Sequence, residues 1–378
     1  MVRNTLVRFL SAAVMMMTAV SGAWAAERSE SHLVAADLSQ VDADFALQGE
    51  YNGSVLVGTP PVRWQDVGLQ VIALGGGRFD AVEYAGGLPG DGWNRHDRIK
   101  LSGSRHGDAV WLTGPGRRVL VENDTVLIYH TGDMPVGQLA KTERISGTLG
   151  MLPPTDALVL FDGYGAKQFQ NARLTKDFLL KEGTQTKGTF GNYILHIEFR
   201  LPYKPYARGQ ARGNSGVYLQ SRYEVQVLDS FGLDGRNNEC GALYKLRKPD
   251  VNMCLPPLSW QTYDIAFRAP RFDKTGKKIK DARLTVWHNG VLIHNRLRLA
   301  RKTGGGAAEG RTLLPIKLQD HHNPVRFRNI WLVKRTDPKP RLKNLPAQSW
   351  FGEYTDSNGS WNRIEFLGPP TKRAYWLY

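Results

Sequence analysis

Short runs in which apolar and polar positions alternate recur along this chain, and no helix-length periodicity accompanies them. Over residues 222–229, Arg222, Glu224 and Gln226 fall on one side, with Tyr223, Val225 and Val227 on the other. Residues 193–200 repeat the pattern, setting His196, Glu198 and Arg200 against Tyr193, Leu195, Ile197 and Phe199. Further strands are predicted over 217–219, 263–267, 283–287, 291–294 and 325–333. Between two apolar runs, Asn289-Gly290 predicts a hairpin, because both residues tolerate positive φ. Upstream, 67–74, 79–84, 109–112 and 119–121 are short strands separated by glycine turns. The chain therefore reads as all-β: a two-sheet sandwich over 157–335, preceded by a smaller β-rich domain over 45–152. The boundary falls at Pro153-Pro154, where paired prolines remove ladder donors.

Outside these units, residues 26–44 are polar and poor in aromatics and are expected to form a flexible lead. The glycine-rich 303–310 is expected to be a flexible loop. The last segment, 336–378, carries Trp350, Tyr354, Trp361, Tyr375 and Trp376, enough aromatic surface to pack back on the body. Residues 1–25 have the layout of a secretory signal peptide, with Arg3 and Arg8, an apolar run over 9–20, and Ala23-Trp24-Ala25. That run is short for a membrane span and no later one is longer, so no transmembrane anchor is expected. The mature protein is expected in the periplasm or outside the cell.

The formal net charge of +15 suits an anionic partner. The cations are spread along the chain without a nucleic-acid motif, which argues against DNA or RNA. Cys240 and Cys254 are the two cysteines, and in an exported chain they are expected to form a disulfide worth about 3 kcal/mol in the chain-entropy picture. No histidine lies between them to complete a metal site.

Three polar side chains alternating along an apolar strand, with Glu224 between a guanidinium and an amide, read as a groove floor. If 193–200 and 222–229 lie in one sheet, Glu198 and Glu224 line one concave surface. Asp320 and His321 precede a strand rich in Arg326, Arg328 and Asn329, and a histidine beside an aspartate is a candidate general base or metal ligand. A solvated, salt-bridged face accounts equally well for His196 and Arg200, and paired histidines in a turn, His321-His322, also occur without function. The chain holds no Gly-x-Ser-x-Gly elbow, His-Glu-x-x-His helix or phosphate loop, so serine-nucleophile hydrolases and zinc-helix proteases drop out.

Ordered motifs over 160–333 carry a resemblance: Phe161-Asp162-Gly163, Glu198-Phe199-Arg200, Asn214-Ser215-Gly216-Val217-Tyr218, the run from Tyr223 to Ser230, Cys240-Gly241-Ala242-Leu243-Tyr244, Leu318-Gln319-Asp320-His321 and Arg328-Asn329-Ile330-Trp331. This stretch resembles the 3-keto-disaccharide hydrolase family, and the residues before it are similar to the leading β segment of planctomycete members. The resemblance implies a concanavalin-A-like, laminin-G-like jelly roll whose concave sheet holds a sugar. The implied substrate is a glycoside or disaccharide oxidised at C3. There the ketone acidifies the C2 hydrogen, so a base can form an enediolate that expels the C1 substituent. On this implication Glu224 or His321 is the base, and Arg222, Gln226 and a divalent metal ion stabilise the oxyanion. Glu198, Asn214, Tyr244, Asp320 and Arg328 then hold the oligosaccharide. Two alternatives stand beside it. A conventional endoglucanase on the same fold would use Glu224, Gln226 and Asp229, but Gln226 carries no acidic proton and Asp229 falls on the opposite face. A non-catalytic carbohydrate-binding module would use Tyr218, Tyr244 and Trp260 as a stacking platform.

Overall fold

The computed structural model describes residues 32–335 other than 59 and 131, together with the backbone of a later hairpin, Phe351–Thr355 against Trp361–Glu365. The predicted signal peptide, the first residues of the lead and the rest of the C-terminal extension lie outside the described residues. Among those described, regular structure is all strand apart from three short 3-10 turns.

The first unit is a closed barrel of eight antiparallel strands: β1 (Gly49–Val57), β2 (Arg63–Ala73), β3 (Arg78–Ala85), β4 (Arg98–His106), β5 (Ala109–Gly114), β6 (Arg117–Glu122), β7 (Thr125–Tyr129) and β8 (Pro135–Thr142). Each strand pairs with its sequence neighbour, and β1 closes the ring on β8. Alternate residues point inward, among them Tyr51, Val55, Leu69, Val71, Leu112 and Ile128, and their side chains form the barrel's packed core. From His32 onward the lead is not the flexible segment its polar composition suggested. Ala35 exchanges backbone hydrogen bonds with Tyr203, and Asp44 accepts from Gly77 N at 2.8 Å and Arg105 Nε at 2.9 Å. Its polar groups serve as fastenings, and Tyr203 carries the sandwich into the barrel's core cluster.

The second unit contains β9 (Leu158–Phe161), β10 (Phe169–Gln170), β11 (Leu180–Lys181), β12 (Thr184–Thr186), β13 (Tyr193–Arg200), β14 (Asn214–Leu219), β15 (Tyr223–Leu228), β16 (Trp260–Arg268), β17 (Arg271–Phe272), β18 (Lys278–Lys280), β19 (Ala282–His288), β20 (Val291–Leu299), β21 (Lys317–Leu318) and β22 (Arg326–Lys334). Five strands order as β10-β12-β21-β14-β15, and the larger sheet runs β11-β22-β13-β16-β19-β20 with β9 also on β22. Leu195, Ile197 and Phe199 of one sheet share a core with Tyr223, Val225 and Val227 of the other, the jelly-roll-like sandwich expected. β13 and β15 thus lie in different sheets. Their apolar faces meet, so Glu198 and Glu224 point away from one another, and the single surface postulated for them does not form.

Residues 143–151 tie the two units together. Arg144 grips Glu50 of β1 through Nε and Nη2, at 2.7 and 2.6 Å, and donates through Nη1 to Pro89 O at 2.7 Å. The segment then lies on the outward face of β13 and β16. Thr148 Oγ1 donates to Asp264 Oδ2 at 2.7 Å, and Gly150 N donates to Glu198 Oε1 at 2.6 Å. His196 is fully buried there, with Nδ1 2.7 Å from Asp264 Oδ1, Nε2 3.5 Å from Glu198 Oε1, and its ring stacked on Trp331. Burial works to lower the pKa of this imidazole, but the two carboxylates prevail and push it up to about 9. Burial works to raise Glu198, yet His196, Asn329 and Arg328 bring it down to about 2.

The folded-state pKa of His196 therefore lies above its ordinary 6.5, so its contribution is complete below that value and is lost as pH rises through about 9. Urea unfolding at pH 6 and pH 9.5 is expected to show the wild type losing on the order of 3 kcal/mol more than His196→Gln across the interval. Equal losses in the two proteins would refute a protonated His196.

Candidate active site

On the outward face of the five-stranded sheet, strand register sets Glu224 of β15 opposite Tyr218 of β14, and Gln226 opposite Gly216. One strand further, Lys317 of β21 pairs with Tyr218, and Gln319 N donates to Gly216 O at 2.9 Å. The Tyr218 hydroxyl donates to Glu224 Oε2 at 2.7 Å, while Lys317 Nζ sits 5.7 Å from the centre of the tyrosine ring. The carboxylate lies flat on Gly216. A Cβ there would stand 2.5 Å from Glu224 Oε1 and 3.1 Å from Gln319 Oε1, so the absent side chain makes the space.

Glu224 is 2% exposed, and burial pushes its carboxyl up against the opposing pull of Tyr218 and Lys317, to about 7. Tyr218 moves the other way from acidity: burial, then the neighbouring Glu224 charge, raise its phenol so that it remains a donor. The Gln226 amide completes the pocket. In one orientation its nitrogen is 3.3 Å from Asn214 Oδ1 and from Gln210 Oε1; turned over, it donates to Glu224 Oε1 at 2.8 Å and Ser215 O at 3.1 Å. An ionised Glu224 selects the second orientation, whereas a protonated one can donate to the amide oxygen in the first. The amide therefore serves both protonation states.

The glycine-rich stretch covers this pocket and is not the free loop its composition suggested. Buried Thr303 accepts from Glu224 N and donates to Arg222 O, each at 3.0 Å, which caps the edge of β15. A Cβ on Gly305 would stand 2.6 Å from the Tyr218 hydroxyl. Arg222, expected to stabilise an oxyanion, instead clamps the loop: Nε donates to Ala308 O at 2.8 Å, Nη2 to Thr312 O at 3.0 Å, and Nη1 to Gln220 Oε1 at 3.0 Å. Each of its three nitrogens is bound to the loop or to Gln220, and the guanidinium is not among the groups that act on Glu224. Half-buried Tyr244 rims the pocket against Gly304, its backbone N bonded to Glu224 O at 3.3 Å.

Other expected residues lie elsewhere. Glu198 and Arg328 pair at 2.6 Å on the opposite sheet, where Arg328 stacks on Trp260, so Trp260 cannot join Tyr218 and Tyr244 in one platform. Asp320 turns toward Arg173, 3.7 Å away, and accepts from His322 N at 2.8 Å. His321 is exposed, and its ring has no hydrogen-bond partner among the described residues. Asp229 is fully buried against Arg212 at 2.9 Å and takes no part beside Glu224. The expected disulfide does not form. Cys240 and Cys254 are free thiols packed in the sandwich core, the first with Sγ 3.2 Å from the Tyr263 hydroxyl and the second accepting from Ser230 N at 3.4 Å. Among the described residues no three His, Cys, Asp or Glu side chains are arranged to hold a metal ion. The one carboxylate there, Glu224, lies among amides, a phenol and the Lys317 ammonium, which leaves a divalent cation a single anionic ligand beside a positive charge.

Sequence reading missed Lys317, Gln319, Thr303 and the space over Gly216. Lys317 and Gln319 alternate ahead of Asp320, but only the β14–β21 register shows that they face Glu224.

The jelly-roll sheet that carries the buried Glu224 belongs to a carbohydrate-active domain of the glycosidase type. Residues 157–333 match the family model described as the 3-keto-alpha-glucoside-1,2-lyase-like domain, and this part of the chain belongs to that family. A candidate glycosyl hydrolase from Parabacteroides distasonis ATCC 8503, solved at 2.13 Å, is 32% identical over 48% of this chain and 85% of its own, with a TM-score of 0.45. A second from the same organism, solved at 1.70 Å, is 16% identical over 48% of this chain and 94% of its own, with a TM-score of 0.36. No curated protein matches the chain.

Removing the phenol that stabilises the ionised carboxyl, by Tyr218→Phe, is expected to raise the Glu224 pKa above about 7. A carboxyl-carbon NMR titration checks it, and an unchanged or lower midpoint would overturn the assigned hydrogen bond.

Proposed function

We propose that the sandwich cleaves the glycosidic bond of a 3-keto-glycoside, with Glu224 as the base that removes the C2 proton. One observation carries this reading: a buried carboxyl pushed up to about 7 and flanked by neutral donors in place of a second carboxylate. A base poised near neutrality suits abstraction beside a ketone. A conventional glycosidase needs two carboxyl groups across the bond, and here the neighbouring positions hold Gln226 and an Asp229 committed to Arg212.

The C2–H bond breaks and its proton passes to Glu224, while the electron pair forms an enediolate with charge on the C3 oxygen. The Gln226 amide, the Tyr218 hydroxyl and the Lys317 ammonium are the groups at hand to stabilise that charge. Collapse of the enediolate breaks the C1–O bond, and the departing alkoxide takes the proton back from Glu224. Water then adds across the resulting enone. Glu224 ends ionised, as it began. Family membership supports the substrate class, and the layout of residues 1–25 supports an exported enzyme.

Turnover of a 3-keto-glucoside by Glu224→Gln is expected to fall by about 10²–10⁴-fold. The wild-type rate should rise with pH through about 7, as the base ionises, and should drop with C2-deuterated substrate. Full activity of Glu224→Gln, or equal cleavage of the unoxidised glucoside, would sink the reading.

A further inference from the structure

The seven-stranded sheet has a second outward region, four residues along β16 from Asp264, that the docked 143–151 segment leaves open. Register places Arg268 of β16 directly opposite Arg283 of β19, and Arg283 opposite Arg298 of β20. Residues flanking them, Phe267, Leu284 and Leu299, are in the core, so the three arginines face outward in one row across the sheet's edge. Beside them the β17–β18 hairpin sets Arg271 opposite Lys280, a second like-charged pair. Together they line a cleft of about 550 Å³ that holds six cationic side chains and one carboxylate, Asp281. Asp281 is already taken by Lys278 and Arg298. Arg271, Lys280 and Arg283 are exposed and have no ion-pair partner among the described residues.

Like charges in direct cross-strand register, as in this row, destabilise a sheet. An anion seated on it would turn that repulsion into binding. We propose that this cleft binds an acidic polysaccharide, a chain of carboxylated sugars running across the strands. Neighbouring strands are about 4.8 Å apart, comparable with the advance of one pyranose unit, so a chain crossing the strands can bring one carboxylate to Arg283 and others to Arg271 and Lys280 beside it. Arginine suits carboxylates through its paired N–H donors. Single-stranded nucleic acid is disfavoured because no aromatic side chain lines the cleft to stack a base. The site is independent of Glu224, which faces away on the other sheet, and its failure would leave the proposed catalysis untouched. It would hold an anionic chain to the enzyme while the other face works.

Calorimetric titration of the whole protein with oligogalacturonate tests the idea. The wild type is expected to bind, to weaken at least about tenfold between 50 and 200 mM NaCl, and to ignore the methyl-esterified oligomer. Lys280→Glu combined with Arg283→Glu should lose at least about tenfold in affinity without a lower melting temperature, and Glu224→Gln should bind as the wild type does. Equal affinity in the double variant, equal binding of the neutral ester, or tighter binding of single-stranded DNA of matched charge would overturn the proposal.

Discussion

Because side chains alternate across a strand, two sheets that bury their apolar faces against each other turn every polar position outward, in opposite directions. Glu198 and Glu224 both obey this rule, and both are nonetheless buried, because each outward face is covered by a different segment. Residues 143–151 cover the first and the 303–310 loop the second. The two carboxyls then diverge for a reason readable in their partners. Glu198 meets a guanidinium, an imidazole, an amide and a backbone N–H, and stays ionised far below neutrality. Glu224 meets a phenol, an amide and a more distant ammonium, too little to offset burial, and titrates near neutral pH. The same residue in the same kind of strand becomes a structural anchor on one face and, on the other, the carboxyl we propose as proton carrier.

The barrel contributes to this arrangement through contact, not chemistry. Arg98 and Lys100 of β4 reach Asp234 at 3.0 and 2.9 Å, on the loop that follows the strand bearing Glu224. Gly232 on that loop approaches Ile72 so closely that a Cβ would stand 2.4 Å from its Cδ1. The same loop leads on through the core residue Cys240 to Tyr244, the rim of the pocket. With Arg144 gripping Glu50 on one side and Tyr203 entering the barrel core on another, the barrel is fixed at several points and buttresses the rim.

Much of the fold was legible as period-two alternation, because that signal is local: 223–228 and 193–200 are strands with the predicted faces. Sheet membership was not legible. It depends on pairing between strands distant in sequence, such as β13 with β22, and two strands with the same pattern look alike whichever sheet they join. Covering segments were misread for a related reason. Polar residues 32–44 and glycine-rich 303–310 have the composition of free chain, yet their backbone groups pair with partners far away, such as Tyr203 and Ser221. Glu224, Gln226 and Asn214 lie together as expected because their parity is local. Arg222 was misassigned because parity says nothing of the loop carbonyls that claim its guanidinium.

The pairing of Glu224 with an amide in place of a second acid bears on which chemistry the pocket can sustain. A second ionised carboxylate nearby would raise Glu224 further by repulsion and leave it protonated when a base is needed. Gln226 avoids that cost, since its amide offers N–H to the charged form and oxygen to the neutral one without carrying charge itself. On the proposed reaction, proton transfer to and from Glu224 then requires rotation of only one side chain while the negative charge passes from the carboxylate to the C3 oxygen and back. Such an arrangement favours reactions in which one group takes a proton and returns it, and gives little help to displacement by a carboxylate at C1. For that reason the neutral neighbours of Glu224 argue for elimination beside a ketone as strongly as its pKa does.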